Sequence, residues 1–106
     1  MEELTVARLC DEVRSGQVIW SRHFTQRTFE RDQPTANDVR FMLCEDEPWI
    51  MERYTERPGI LIWATVESGR CGHVHCGYPP NAVIVTAYWP DTEPDEWLDD
   101  YRVRRR

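Results

Sequence analysis

Four short apolar runs crowd the second half of this chain with only turn residues between them, and they narrow the folds open to it. Trp49 to Tyr54, Ile60 to Val66, Cys71 to Cys76 and Ala82 to Trp89 read as strands. They are bounded by Pro58-Gly59, Ser68-Gly69, Gly77-Tyr78-Pro79-Pro80-Asn81 and Pro90. Parallel neighbours would need long crossover connections, so short loops between consecutive strands predict an antiparallel meander.

The first half carries helical spacing instead. Val6, Leu9, Cys10 and Val13 mark one face of a helix over Glu2 to Arg14, stopped by Ser15-Gly16. Val18-Ile19-Trp20 is a brief apolar run. Ser21 is a good N-cap for a second helix, Ser21 to Arg31, which Pro34 ends. Thr35, with Asp38 three residues on, opens a third helix whose stripe is Val39, Met42 and Leu43 and whose end falls near Cys44. The predicted class is α+β, with N-terminal helices packed on a curved, mainly antiparallel sheet of four to five strands.

At 106 residues the chain suits one core and one domain, residues 1–106, with a helix over 1–15 and a partly ordered basic tail over 99–106. In the last segment, Asp91 to Arg106, Trp97 and Leu98 are the strong anchors. No apolar stretch approaches the length of a membrane span, and the acidic Met-Glu-Glu start is unlike a signal peptide, so a cytoplasmic protein is expected. In a reducing cytosol, Cys10, Cys44, Cys71 and Cys76 are expected as free thiols or metal ligands rather than disulfides.

All 13 basic residues are arginine, yet 19 acidic ones bring the formal net charge to -6. Guanidinium forks suit phosphate, although an arginine-only count also follows from a GC-rich genome. Net acidity excludes broad, non-specific nucleic-acid binding, so any RNA site must be a local patch.

Three constellations could carry chemistry. His23, Arg27 and Arg31 recur at i, i+4 and i+8 and fall on one helical face. Metal-independent RNA cleavage needs a base for the 2′-hydroxyl, an acid for the leaving oxygen and cations for the phosphorane, and these residue types supply them. The same stripe is equally the pattern of a solvated face. Cys71-Gly72-His73-Val74-His75-Cys76 is the densest set of ligand-type residues, with Cys71, His73 and His75 on one strand face. Its spacing is not that of a zinc finger, and core cysteines beside one hydrogen-bonded or functional histidine are the default, so no metal or other cofactor is expected. Thr86 and Tyr88 alternate onto one face with Ile84, where Tyr88 either stacks or orients phosphate, or is a half-buried aromatic.

An ordered set of residues runs from about Val18 to Arg105. It comprises Trp20-Ser21-Arg22-His23, Arg27, Glu30-Arg31, Asp38-Val39, the Ile50 to Tyr54 run, Gly69-Arg70, His73-Val74, Ile84-Val85-Thr86-Ala87-Tyr88-Trp89-Pro90 and Trp97. In that order they resemble the domain-of-unknown-function 4258 family. Asp32 stands where a glycine is usual, and Cys71-Gly72 replaces a proline-plus-aliphatic pair. The resemblance implies a RelE-like or BrnT-like fold and an RNA-cleaving toxin of a toxin–antitoxin pair. It also implies a small antitoxin partner with a zinc-binding Cys-x-x-Cys head. The positions matching its pattern are His23, Arg27, Arg31, His73, Thr86 and Tyr88. A non-catalytic protein-binding module that keeps the fold is the alternative.

Overall fold

The computed structural model describes residues 5–30, 32–54, 59–77 and 82–105. Among them are three α-helices, each started by a side-chain cap. In α1 (Val6–Ser15) the Thr5 side chain accepts from the Arg8 amide, and Gly16 closes the helix at φ 78, a left-handed geometry glycine adopts at least cost. In α2 (Arg22–Arg27) the Ser21 hydroxyl accepts from the Phe24 amide. In α3 (Ala36–Cys44) Thr35 and Asp38 form a reciprocal capping box.

The second helix is shorter than its spacing predicts. It stops at Arg27 instead of Arg31, because the Thr28 hydroxyl bonds the Pro34 carbonyl at 3.3 Å and Glu30 bonds back three residues to Arg27. Arg31 itself lies outside the described residues.

The main sheet has five strands in the order β1-β5-β4-β3-β2: β1 (Ile19–Trp20), β2 (Trp49–Tyr54), β3 (Gly59–Thr65), β4 (Cys71–Gly77) and β5 (Val83–Tyr88). The meander is antiparallel, as the short loops require. The brief Val18-Ile19-Trp20 run adds a parallel edge, Ile19 against Val83 and Trp20 against Ile84. Helices cover one face. Their Leu9, Val39 and Met42 meet Ile60, Ile62, Val74, Cys76 and Ile84, all at most 1% exposed, and each large aliphatic so buried contributes roughly 1.5–3 kcal/mol. Gly72 belongs to this contact, since a Cβ there would lie 2.8 Å from Met42 Cε and 3.0 Å from its Sδ.

One irregularity reassigns the faces of β5. His75 pairs with Thr86 but Cys76 pairs with Ile84, so Val85 is an extra residue in the ladder. Strict alternation places Ile84, Thr86 and Tyr88 together. The bulge instead leaves Ile84 in the helix-side core and turns Thr86 and Tyr88 to the other face. The Ser21 hydroxyl donates to the Val85 carbonyl at 2.6 Å, tying the start of α2 to the bulge.

On that other face, register aligns Trp49, Trp63, His73 and Tyr88 in one row across β2, β3, β4 and β5. The C-terminal segment covers it. Two 3₁₀ turns (Pro90–Thr92 and Pro94–Glu96) lead into a hairpin of β6 (Trp97–Leu98) and β7 (Val103–Arg104). The predicted basic tail is thus ordered as far as Arg105. Trp97 is buried as an anchor, while Leu98 is 44% exposed. Asp99, Asp100 and Tyr101 follow one another at φ 50, 58 and 69, a left-handed run that costs on the order of 1–3 kcal/mol per residue.

The expectation of free thiols fails for one pair. Cys10 and Cys44 form a disulfide, their Cα atoms 5.2 Å apart. The apolar faces that carry them, read separately in the sequence, pack against each other. Cys71 and Cys76 are free. Among the described residues no helix is long and apolar enough to cross a membrane.

Gly72→Ala should lower stability by about 1–3 kcal/mol through overpacking against Met42, read as a lower urea midpoint at unchanged slope. An unchanged midpoint would show that Met42 yields without penalty.

Candidate functional site

Because Ser21 fixes α2 to the β5 bulge, the helix face bearing His23 and Arg27 stands beside Thr86 and Tyr88. Phe24 turns inward on the opposite side and packs on Trp20 with centroids 5.1 Å apart. The four candidates His23, Arg27, Thr86 and Tyr88 line one cavity of about 400 Å³, closed on its far side by Trp97 and Arg104 of the hairpin. That volume lies in the range of small-ligand pockets. Trp89, Pro90, Thr92, Glu93 and Glu96 complete the wall.

Two residues of the lining also carry buried N–H groups that lack acceptors. Arg27 spends one terminal nitrogen on Gln33 Oε1 at 3.2 Å, but its Nε is buried without a partner, and so is Trp89 Nε1. A buried unpaired N–H is costly, on the order of 1–3 kcal/mol. Two arginines and two glutamates, Arg27, Arg104, Glu93 and Glu96, leave the lining formally balanced.

His73 does not line the cavity. It is 0% exposed, with Nε2 2.7 Å from the Tyr101 carbonyl and Nδ1 3.2 Å from the Tyr88 hydroxyl. A carbonyl only accepts, so Nε2 carries the proton and donates, while Nδ1 accepts from the Tyr88 hydroxyl. Burial pushes the imidazole down to about 4, against the smaller raising effect of the Tyr101 carbonyl. Burial also pushes the Tyr88 phenol up to about 12. At neutral pH the pair is a neutral imidazole holding a protonated phenol at the cavity wall.

His75 stands on the same face, half-buried against the Tyr54 ring at 5.2 Å, and burial lowers its pKa. Tyr54 donates to Glu52 at 3.0 Å, and Arg104 reaches the same carboxylate at 3.3 Å. Burial raises the thiols of Cys71 and Cys76. Among the described residues no group of three or more His, Cys, Asp or Glu side chains is placed to hold a metal ion.

Asp32 has φ 63, the region glycine favours. Its carboxylate goes to Arg70 at 3.3 Å. Arg70 also grips Asp91 through two bonds of 2.9 and 2.8 Å, holding that carboxyl below its usual range, and lies 4.4 Å above the Trp89 ring. The loop after α2, the turn after β5 and the cavity residue Trp89 thereby share one guanidinium.

The cavity residues missed in the sequence are Trp89, Pro90, Thr92, Glu93, Glu96, Trp97 and Arg104. Their available signal is the pairing of Trp97-Leu98 with Val103-Arg104 around an acidic turn, a hairpin pattern that reads as a tail when only composition is weighed. In comparisons with known proteins, no family model, curated protein or solved structure matched the chain.

The His73 environment gives a pH signature. Unfolded histidine gains its proton near 6.5 and the folded one only near 4, so this contribution is complete above 6.5 and drains away as pH falls toward 4. His73→Gln retains a donor for Tyr101 and an acceptor for Tyr88 without titrating. Between pH 7 and 4 wild type should lose about 3 kcal/mol more than this variant, measured by urea unfolding. Parallel losses would contradict a buried neutral His73.

Proposed function

We propose that this chain is a metal-independent endoribonuclease of RelE-like type, the toxin of a cytoplasmic toxin–antitoxin pair, with its site in the cavity between α2, β5 and the hairpin. The observation that carries this reading is the meeting of His23, Arg27, Thr86 and Tyr88 in one pocket.

In this reading Arg27 holds the scissile phosphodiester and neutralises charge gathering on its oxygens. His23 takes the proton of the 2′-hydroxyl as that oxygen attacks the adjoining phosphorus. Tyr88, kept protonated by its surroundings, turns its hydroxyl from His73 to the departing 5′-oxygen and gives it a proton. A 2′,3′-cyclic phosphate remains. Thr86 orients the phosphate, and His73 positions Tyr88 from behind. Arg31 is proposed as a further phosphate contact by the resemblance alone.

The proposed antitoxin is a small protein with a zinc-binding Cys-x-x-Cys head.

One observation favours a non-catalytic binding module instead. Phe29 is 85% exposed just beyond α2, and Trp49 is 54% exposed on the outer edge strand β2. Apolar groups so placed suit a protein partner.

The deciding experiment is induced expression in a strain lacking any cognate antitoxin, with growth and total RNA followed together. Wild type should arrest growth and cleave RNA. Purified His23→Ala and Tyr88→Phe should each cut at least ~100-fold more slowly, and Arg27→Ala should lose arrest, with all three folded. Normal growth and intact RNA under folded wild type would overturn the nuclease reading and favour the binding module.

A further inference from the structure

The hairpin does not simply cap the sheet; it fills one continuous aromatic surface. Arg102 lies 4.2 Å from the Trp63 ring centroid and 5.6 Å from that of Trp49. Trp97 meets His73 edge-on at 4.4 Å and stacks toward Tyr88 at 6.3 Å. Planar groups of the hairpin thus occupy the row Trp49–Trp63–His73–Tyr88. Carbonyl oxygens of the same hairpin accept from that row, Asp100 from Trp63 Nε1 at 2.9 Å and Tyr101 from His73.

The fit has two defects. Arg102 Nε is buried with no acceptor. The turn holds Asp99, Asp100 and Tyr101 in the left-handed region, where a bulky residue such as tyrosine is an outlier. A purely structural cap has no need of either. A segment that must leave its seat has a use for both.

The row also points somewhere. Its last member, Tyr88, lines the cavity, so a ligand lying along Trp63 and Trp49 would continue into the site of His23 and Arg27. Neighbouring rings stand about one strand spacing apart, ~4.8 Å. Flat aromatic faces interleaved with arginine are how proteins hold unpaired bases, through stacking that tolerates any sequence. Double-stranded RNA keeps its base faces stacked internally and cannot use such a row.

We infer that the hairpin Trp97–Arg104 is the chain's own occupant of a stacking platform for single-stranded RNA, and that it lifts so that unpaired bases take the places of Arg102 and Trp97 on Trp63 and its neighbours. The inference rests on the proposed RNA reading and supplies its substrate class. Opening exposes Trp63 and His73, leaves the α2 and β5 side of the cavity in place, and selects unpaired strands without net positive charge.

The test separates lifting of the hairpin from charge. Asp99→Ala/Asp100→Ala and Asp99→Asn/Asp100→Asn remove the same charges, but asparagine accepts the left-handed region and alanine does not. Binding of a fluorescent, uncleavable 2′-O-methyl oligouridine of about eight nucleotides is followed by anisotropy. The alanine pair should bind about fivefold tighter than the asparagine pair, because its closed hairpin is weaker. Trp49→Leu, at an exposed position, should bind several-fold weaker than wild type, and a duplex of the same length should compete poorly. Equal affinity of the alanine and asparagine pairs, or unchanged binding by Trp49→Leu, overturns the platform even if RNA cleavage dependent on His23 is found. Binding that follows these variants, without any cleavage, upholds the platform and sinks the nuclease.

Discussion

Taking an imidazole out of water disfavours its charged form, and His73 sits in the middle of the outer sheet face with no exposed surface. The fold tolerates this because both ring nitrogens are used. One donates to the Tyr101 carbonyl and the other accepts from the Tyr88 hydroxyl. The first bond seats the C-terminal hairpin on the sheet; the second fixes a phenol at the cavity wall. Trp63, bonded to the next carbonyl along, and Arg102, stacked on the same ring, share the load. Together they hold a turn whose backbone would not choose its own shape.

The Val85 bulge is the second requirement. Without the extra residue, Thr86 and Tyr88 would follow Ile84 into the helix-side core, and His73 would have no hydroxyl partner on its own face. Ser21 makes the bulge productive, since its hydroxyl caps α2 and also binds the Val85 carbonyl. One side chain therefore sets where the helix begins and which strand residues its His23 and Arg27 face. The cavity follows from this junction and from the hairpin that closes it.

Local signals were legible in the sequence wherever structure is local. Thr35 with Asp38, Ser21 before Phe24 and Gly16 after Ser15 announce the helix ends, and the Gly, Pro and Asn clusters announce the strands. The grouping of His23 and Arg27 with Thr86 and Tyr88 leaves no local signal, for they lie more than half the chain apart. The rest depends on contacts between distant segments. Periodicity cannot reveal an inserted Val85, a two-residue parallel edge, or the apposition of Cys10 and Cys44. The seating of an acidic, arginine-ended tail on tryptophans leaves no trace in composition, because guanidinium stacking has no repeat. The α2 stripe ran short at Arg27 for a nonlocal reason too, the Thr28 bond to the Pro34 carbonyl.

The account turns on a cavity that gathers His23, Arg27, Thr86 and Tyr88. Nitrogen-15 NMR of the intact protein, titrated with a dinucleotide that lacks the 2′-hydroxyl, addresses that without requiring cleavage. The account predicts saturable shifts of the side-chain nitrogens of His23 and Arg27, which line the cavity. If both stay unmoved up to millimolar dinucleotide, the cavity is not a phosphodiester site and the central claim is wrong.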